Sequence, residues 1–306
     1  MKAGVARYAV IGNPVAHSRS PLIHQWFATQ TGEALTYETL PAPLDGFADS
    51  VTKFFAAGGS GMNVTVPFKL EAHALVDVLE PRALAAGAVN TLWQSAGRLH
   101  GDNTDGIGLV RDIEQGLGVS LAGLSVLLLG AGGAARGAML PLIDGRVAAI
   151  DVLNRTAARA EELVASFDAA ATAAGCRLSA LDSNAEPASL SVRQRNANAN
   201  ANANASSGAY DIVINATAGS LSNALPAFPV DAVDARTLAY DMMYGAQPTV
   251  FLAHCAARGA RCADGLGMLV EQAAEAFFIW RGVRPETAPV QARLRAQLIA
   301  EAPPQD

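Results

Sequence analysis

Cysteine is scarce in this chain of 306 residues, occurring three times, at Cys176, Cys255 and Cys262. No two of them have the C-x-x-C spacing of a redox or zinc motif, and an odd number leaves one thiol unpaired. The five histidines show no metal-ligand spacing, and the sequence contains neither an H-E-x-x-H motif nor a Cys/His cluster. We therefore predict reduced thiols, a cytoplasmic location and no bound metal.

Charge and long apolar runs are also lacking. Charged residues make up 16% of the chain and sum to a formal charge of −6, which argues against general nucleic-acid binding. No apolar run reaches the roughly 18 to 20 residues that span a bilayer, and the N-terminal residues show no signal-peptide core. We expect the protein to bind a small molecule, and neither nucleic acid nor a membrane. If the ligand is an anion, a few local cations and helix termini must bind it.

Apolar residues are abundant, at 51% of the chain, and the mean hydropathy is +0.21. With this length, the composition predicts a globular protein of two domains with a large core. The stretch 183–208 differs from the rest, since it contains an Asn-Ala repeat over 196–205 that has no aromatic or branched residue to pack. We predict a mobile surface loop there.

A run of branched apolar residues, Val126 to Leu129, ends in a cluster of glycines. The run predicts a strand buried on both faces, and the small residues after it predict a helix packed on that strand. Gly130 would allow the tight turn, Gly132 a close approach to a pyrophosphate, and Ala135 close packing of the helix. A structural glycine turn is the alternative. The predicted dinucleotide contacts, at and before the new helix N-terminus, are Gly130, Ala131, Gly132, Gly133 and Ala134.

The end of the next predicted strand, Arg146 to Leu153, indicates which dinucleotide is bound. An NAD site usually offers an acid to the ribose hydroxyls about 20 residues past the glycines. This chain offers Asn154 and Arg155, and a guanidinium suits a 2′-phosphate. Asp151 is the one acid nearby, but it lies inside the strand. The predicted cofactor is NADP, with contacts from Asn154, Arg155, Thr156 and Arg159.

Two serines, Ser18 and Ser20, stand directly before Pro21, a residue that suits the first turn of a helix. In a purely structural interpretation Ser20 is the helix N-cap. In a functional interpretation the two hydroxyls and the helix N-terminus hold a carboxylate. The residues alone favour neither.

Asn63 and Thr65 alternate with valines, so they share one face of a predicted strand. Pro67 ends this strand and opens a helix whose first turn contains Lys69. Two polar residues leading to one lysine indicate the wall of a ligand site, although a solvated surface lysine is the ordinary alternative. Three other polar residues have the same two interpretations, as caps and core hydrogen-bonders or as ligand contacts: Asn90, Asp105 and Gln272.

Taken together, these stretches are similar to the shikimate dehydrogenase family, in the family's order and over nearly the whole chain. The matching motifs are Ser18-Arg-Ser20-Pro21, Asn63-Val-Thr65-Val-Pro-Phe-Lys69, Val89-Asn90-Thr91, Gly101-Asp-Asn-Thr-Asp105-Gly, Gly130-Ala-Gly-Gly-Ala-Ala-Arg136, Asn154-Arg155-Thr156, Asn215-Ala-Thr217 and Asp264-Gly-Leu-Gly-Met268-Leu-Val-Glu-Gln272. The resemblance implies an NADP-dependent oxidoreductase that reduces 3-dehydroshikimate to shikimate, in the route to aromatic amino acids.

The resemblance also implies the fold class, which is α/β. An N-terminal α/β substrate domain would be joined to a Rossmann-type, doubly wound parallel sheet that binds NADP, with the cleft between them. The expected boundaries are 1–105 plus 267–306 for the substrate and catalytic domain, and 106–266 for the dinucleotide-binding domain.

Carried over residue by residue, the resemblance makes Lys69 and Asp105 the catalytic pair, with Lys69 either transferring the proton or orienting the substrate. The expected substrate contacts are Ser18, Ser20, Asn63, Thr65, Asn90, Tyr244 and Gln272, with Asp105 also near the ring hydroxyls. The further expected cofactor contacts are Thr217, Met242, Gly265 and Met268. The alternatives are an NAD-preferring quinate/shikimate dehydrogenase and a non-catalytic dinucleotide-binding protein. The oligomeric state, with a homodimer as one alternative, stays open.

Overall fold

The computed structural model describes residues 5–182, 208–217, 219 and 224–302. The Asn-Ala repeat predicted to be a surface loop lies outside these residues. The chain forms two compact units, Met1–Gly118 with Gly267–Asp306, and Val119–Leu266. Each unit is built on its own sheet, with helices between the strands, so the predicted α/β fold class is confirmed.

The first unit begins with a mixed six-stranded sheet in the order β2-β1-β3-β5-β6-β4. β1 pairs in parallel with the edge strand β2 and with β3, whereas β5 is antiparallel to both β3 and β6. The elements of this part are β1 Ala6–Gly12, α1 Ser20–Thr31, β2 Leu35–Pro41, α2 Phe47–Ala56, β3 Gly59–Val64, α3 Lys69–Leu75, β4 Val78–Leu79, α4 Pro81–Ala86, β5 Thr91–Ser95, β6 Arg98–Asp102 and α5 Asp105–Arg111.

Apolar periodicity explains the core of this unit. Four consecutive residues of β1, from Tyr8 to Ile11, are buried, as expected of a strand inside a sheet that is covered on both faces. In α2 the apolar residues Phe47, Val51 and Phe54 recur at helical spacing, and all three are buried in the core that includes Ile11. Apolar side chains of the sheet and of α2 therefore share one core.

The second unit contains a six-stranded sheet in which every strand pair is parallel. Its order, β12-β11-β10-β7-β8-β9, is the order of the doubly wound dinucleotide-binding fold. The described elements are β7 Ser125–Leu129, α6 Gly133–Asp144, β8 Ala149–Asn154, α7 Ala157–Ala174, β9 Arg177–Asp182, β10 Ile212–Asn215, a short 3-10 turn Val230–Ala232, β11 Leu238–Asp241, α8 Val250–Ala256 and β12 Arg261–Asp264.

The last two helices, α9 Leu266–Arg281 and α10 Ala288–Glu301, belong to the first unit apart from Leu266. The boundary after Gly118 lies later than the one expected at residue 105, because α5 packs on α9. A Cβ on Gly108 of α5 would come within 2.8 Å of the Gln272 Cβ, and Arg111 forms an ion pair with Glu275. Within the described residues, no helix is both long and apolar enough to cross a membrane.

His24 of α1 is completely buried. Its ring stacks on Tyr37, with centroids 4.2 Å apart, and lies beside Phe277 and Trp280. Among the described residues, neither ring nitrogen has a partner within hydrogen-bond geometry. Burial lowers the pKa of His24 to about 3, although the nearby Asn63 amide opposes the shift. The imidazole is therefore neutral in the folded protein.

His24 should make the protein less stable in mild acid. Below its ordinary pKa of 6.5 the unfolded chain binds a proton that the folded chain excludes down to about pH 3, so stability is lost as pH falls. From about pH 7 to about pH 5 this removes about 2 kcal/mol from the free energy of unfolding. Urea unfolding at both pH values measures the loss, which should be smaller by that amount in His24→Phe. Equal losses in the two proteins would contradict the assignment.

Candidate active site

Two helix starts bring a lysine and a carboxylate together. α3 begins at Lys69 and α5 begins at Asp105, and the Lys69 Nζ donates a hydrogen bond to Asp105 Oδ2 at 2.5 Å. Their side chains are 31% and 21% exposed, so both groups are held by the protein and still reachable. Such a pair can hold a proton and deliver it to a bound molecule.

The backbone around the pair is fixed by buried hydrogen bonds. The Val89 N–H donates to the Lys69 carbonyl at 2.9 Å, which ties the start of α3 to the segment before β5. Asn103 Oδ1 accepts from the Asp105 N–H at 3.1 Å, and Asn103 Nδ2 donates to the Ala88 carbonyl at 3.1 Å. The start of α5 is therefore tied to the same segment.

Asn90 connects the Asp105 carboxylate to this buried network. Its Nδ2 donates to Asp105 Oδ1 at 2.8 Å and to Thr104 Oγ1 at 3.1 Å, while its Oδ1 accepts from the Thr104 N–H at 2.9 Å. β5 begins at Thr91, directly after Asn90. Asn90 thus sits in the connection before the strand, where its amide reaches α5.

Gln272 joins the same group of residues from α9. Its Oε1 accepts from Thr104 Oγ1 at 3.4 Å, and its Nε2 donates to the Leu269 carbonyl of its own helix at 2.8 Å. Gln272 is buried. Thr104 therefore lies between the amides of Asn90 and Gln272.

A second branch of the network runs through β3 and β2. Asn63 Nδ2 donates to the Asn90 carbonyl at 3.2 Å, and Asn63 Oδ1 accepts from the Tyr37 hydroxyl at 2.7 Å. Burial raises the pKa of Tyr37 well above its ordinary value, against the opposing hydrogen bond from Ser20. The Tyr37 hydroxyl is thus a neutral donor that joins Asn63 to Ser20. Sequence reasoning missed Tyr37 because nothing in the alternation of β2 distinguishes it.

The two serines divide their roles in a way that corrects the capping hypothesis. α1 begins at Ser20, its N-cap position is Arg19, and no side chain caps that position. Ser18 Oγ instead accepts from the Ser20 N–H at 3.3 Å. The interpretation of Ser20 as N-cap is wrong, because Ser20 is already inside the helix.

Thr65 follows β3 rather than lying within it, since β3 ends at Val64. The Thr65 N–H donates to the Ile11 carbonyl at 2.9 Å, and a Cβ on Gly12 would meet Thr65 Cγ2 at 2.5 Å. Thr65 therefore lies at the carboxyl end of β1. Tyr244, the remaining predicted substrate contact, is half-buried after β11 in the second unit.

The glycine turn of the second unit has the geometry of a phosphate site. Gly130 ends β7 with a φ of +106°, a backbone region that favours glycine. A Cβ on Gly132 or Gly133 would meet nothing within 4 Å, so the turn is open to a ligand. α6 begins at Gly133 with no acidic residue in its first turn, and Ala131 and Ala134 flank this start. Its unpaired N–H groups suit a pyrophosphate.

The end of β8 lies beside this turn, because Leu153 pairs with Leu129 of β7. Arg155, Thr156 and Arg159 are exposed there. Asn154 Nδ2 donates to the Thr156 carbonyl at 2.9 Å, which shapes the turn. The exposed arginines fit a 2′-phosphate.

Asp151, the acid that could have favoured NAD, is engaged inside the unit. Its carboxylate is buried, forms an ion pair with Arg177 at 2.8 Å and accepts from the Tyr210 hydroxyl at 2.8 Å. Both partners belong to the protein, so the Asp151 carboxylate is already engaged. The described residues at this strand end thus fit NADP better than NAD.

The other predicted cofactor contacts lie in three places. Thr217 follows β10, where a Cβ on Gly130 would approach its Cγ2 at 3.2 Å, so Thr217 adjoins the glycine turn. A Cβ on Gly265 would lie 2.1 Å from the Met242 carbonyl oxygen, so only glycine fits against Met242. Met268 belongs to the first unit. Across the described ranges, no group of three or more His, Cys, Asp or Glu side chains could hold a metal ion.

Three family models match the chain. The model of the shikimate dehydrogenase substrate binding domain matches residues 10–92, that of shikimate/quinate 5-dehydrogenase matches residues 112–192, and that of the shikimate 5′-dehydrogenase C-terminal domain matches residues 265–295. The matches thus fall in both units of the fold.

Known proteins are similar over almost the whole chain. The shikimate dehydrogenase (NADP(+)) of Cupriavidus necator is 59% identical, covering 96% of this chain and 95% of that protein. Among solved structures, an Ael1 enzyme from Pseudomonas putida is 43% identical with a TM-score of 0.82, covering 94% of this chain and 98% of that one. The shikimate 5-dehydrogenase of Thermus thermophilus, solved with NADP(H) and shikimate, is 32% identical with a TM-score of 0.77, covering 96% and 100%.

Proposed function

Because the chain belongs to the shikimate dehydrogenase family, we propose that it catalyses the reversible NADPH-dependent reduction of 3-dehydroshikimate to shikimate, with Lys69 and Asp105 as the catalytic pair. The observation that carries this assignment of residues is the 2.5 Å bond between Lys69 Nζ and Asp105 Oδ2. Both side chains stand where buried polar groups of β3, α5 and α9 converge.

The reaction needs a hydride at the carbonyl carbon and a proton at the carbonyl oxygen. When bound, NADPH supplies the hydride. The Lys69 ammonium donates the proton to the oxygen, whose developing negative charge it also stabilises, and the partly exposed amine regains a proton from solvent. Asp105 holds the Lys69 Nζ in position. In the oxidation of shikimate the same groups act in the opposite direction.

The substrate carboxylate binds at the start of α1, where the Ser18 and Ser20 hydroxyls supply donors. The start of this twelve-residue helix adds a partial positive charge, and no acidic residue occupies its first turn. Ring hydroxyls need neighbours that both donate and accept, which amides, hydroxyls and a carboxylate provide. The residues that take this role are Asn63, Thr65, Asn90, Asp105, Tyr244 and Gln272.

Most of the residues proposed to hold NADP belong to the second unit. The turn from Gly130 to Ala134 holds the pyrophosphate, and Asn154, Arg155, Thr156 and Arg159 hold the adenosine 2′-phosphate. Thr217, Met242, Gly265 and Met268 line the remainder of the dinucleotide. The open space above Gly132 and Gly133 supports this arrangement.

Ser20→Ala should raise KM for shikimate about tenfold, because it removes a hydrogen bond to a charged carboxylate, and leave KM for NADP within about twofold. Steady-state kinetics with each substrate varied in turn measure both constants. Ser50→Ala is a matched control, since the Ser50 hydroxyl donates to the Gly46 carbonyl at the start of α2. An unchanged KM for shikimate in Ser20→Ala would remove Ser20 from the carboxylate site.

The activity itself is tested by adding 3-dehydroshikimate to the purified protein with NADPH and following oxidation of the nicotinamide. If the protein does not oxidise NADPH although its circular dichroism spectrum shows that it is folded, the proposal is overturned.

A cytoplasmic location is supported by the three free cysteines, and cell fractionation tests it. Light scattering measures the molar mass in solution and so tests whether the protein is a homodimer.

A further inference from the structure

Glu275 of α9 is a buried carboxylate that three arginines bond at once. Its Oε1 accepts from Arg82 Nη1 at 2.9 Å, and its Oε2 accepts from Arg284 Nη2 at 2.6 Å and from Arg111. Only 7% of the Glu275 side chain is exposed. Such burial is costly for a charge unless partners compensate for it.

The three arginines come from different parts of the first unit. Arg82 is in α4, Arg111 ends α5, and Arg284 follows α9. Arg82 also forms an ion pair with Asp102 at the end of β6, using both Nε and Nη2. Glu275 therefore connects α9 to α4, α5 and, through Arg82, β6.

The carboxylate of Glu275 is ionised at any working pH. Burial raises the pKa of Glu275, but the bonds from Arg111 and Arg284, with the charges of Arg111 and Arg82, lower it to about 2. A neutral side chain in place of Glu275 would leave the three guanidinium groups without the carboxylate charge that they share. Removing one partner of a buried ion pair is destabilising, because it leaves buried charge without compensation.

The elements that Glu275 joins are those that carry substrate contacts. Gln272 lies one helical turn before Glu275 on α9, and Asp105 begins the helix that Arg111 ends. Asp102, held by Arg82, accepts from the Asn103 N–H at 2.7 Å. Contact between the helices is close, because Gly108 of α5 leaves no room for a Cβ against Gln272.

We propose that Glu275 is a positioning residue for substrate binding, which holds α9 against α5 and the end of β6 so that Gln272 and Asp105 stay aligned. This inference rests on the proposed function of these two residues. It adds that their alignment depends on an ionic connection in the core of the first unit, behind the residues that touch the substrate.

Glu275→Gln should raise KM for shikimate about tenfold, since coupled neighbours typically interact by an amount of this order, while KM for NADP changes less than about twofold. Glu33→Gln is the matched control. It removes the other ion pair of α9, between Arg281 and Glu33, which reaches neither α5 nor β6. A merely structural role for Glu275 would make the two variants alike.

A double variant tests whether Glu275 acts through Gln272. In a Gln272→Ala background, Glu275→Gln should raise KM for shikimate by less than the roughly tenfold rise expected in the wild-type background, because one of the two contacts that it positions is already gone. A full tenfold rise in both backgrounds would overturn the proposal. So would an unchanged KM in Glu275→Gln alone, or equal rises in KM for shikimate and NADP.

Two further variants keep the test decisive. If Glu275→Gln does not fold, Arg284→Gln removes one of the three bonds at a more exposed position, and a smaller rise in KM for shikimate alone is expected; no rise would overturn the proposal. Glu275→Asp should restore part of the lost affinity. If the single variant Gln272→Ala has an unchanged KM for shikimate, the proposed role of Gln272 in substrate binding is wrong. If Gln272→Ala raises this KM but Glu275→Gln does not, only the positioning role of Glu275 is wrong.

Discussion

Lys69→Ala should lower kcat for shikimate oxidation about a thousandfold, the effect of losing a positioned acid and base, and leave KM for NADP within about threefold. The variant should fold, because Lys69 is partly exposed and Asp105 keeps its hydrogen bond to Asn90. Steady-state kinetics at saturating NADP measure the loss. The large effect is expected on kcat because the proton moves only in the chemical step.

A matched lysine and a chemical probe separate proton transfer from orientation. Lys53→Ala removes a lysine from an exposed ion pair with Asp49 and should leave kcat unchanged. Small primary amines added to Lys69→Ala should restore part of the turnover if the ammonium transfers the proton. A loss in kcat of less than about tenfold, without amine rescue, would make Lys69 an orienting residue.

Arg155→Asp should raise KM for NADP about a hundredfold while leaving KM for NAD within about threefold. The substitution removes a guanidinium suited to the 2′-phosphate and adds a like charge beside it. Since NAD lacks this phosphate, its affinity should change little, and the preference between the two dinucleotides should narrow or reverse.

Kinetics with both dinucleotides, and shikimate held at saturation, measure this change. Arg258→Asp makes the same charge change at another arginine of the second unit, which follows α8 and donates to the His254 carbonyl. It should leave the ratio of the two KM values unchanged. Equal losses for NADP and NAD in Arg155→Asp would show that Arg155 does not recognise the 2′-phosphate.

The parts of the fold that could be predicted are those encoded locally. Buried parallel strands are continuous apolar runs, and the run before Gly130 identified β7 and the start of α6 without knowledge of any partner strand. The strand end at Asn154 and Arg155 follows the glycine turn after only one helix and one strand. NADP was predicted from these two neighbouring segments, and the family agrees.

The parts that could not be predicted depend on contacts between distant segments. The hydroxyl that bonds Asn63 Oδ1 belongs to Tyr37, which lies in another strand. The boundary after Gly118 depends on the packing of Gly108 against Gln272. The connection through Glu275 joins segments that no local pattern relates, and nothing in the sequence distinguishes its three arginines from the others.

The most direct test of the account offers the purified protein shikimate or quinate, each with NADP or NAD, and follows formation of the reduced nicotinamide. We expect fast reduction with shikimate and NADP and little with the other three combinations. Comparable turnover with quinate, or with NAD, would contradict the carboxylate and 2′-phosphate assignments and indicate a broader quinate/shikimate dehydrogenase. No turnover in any combination, by protein shown to be folded, would contradict the proposed activity altogether.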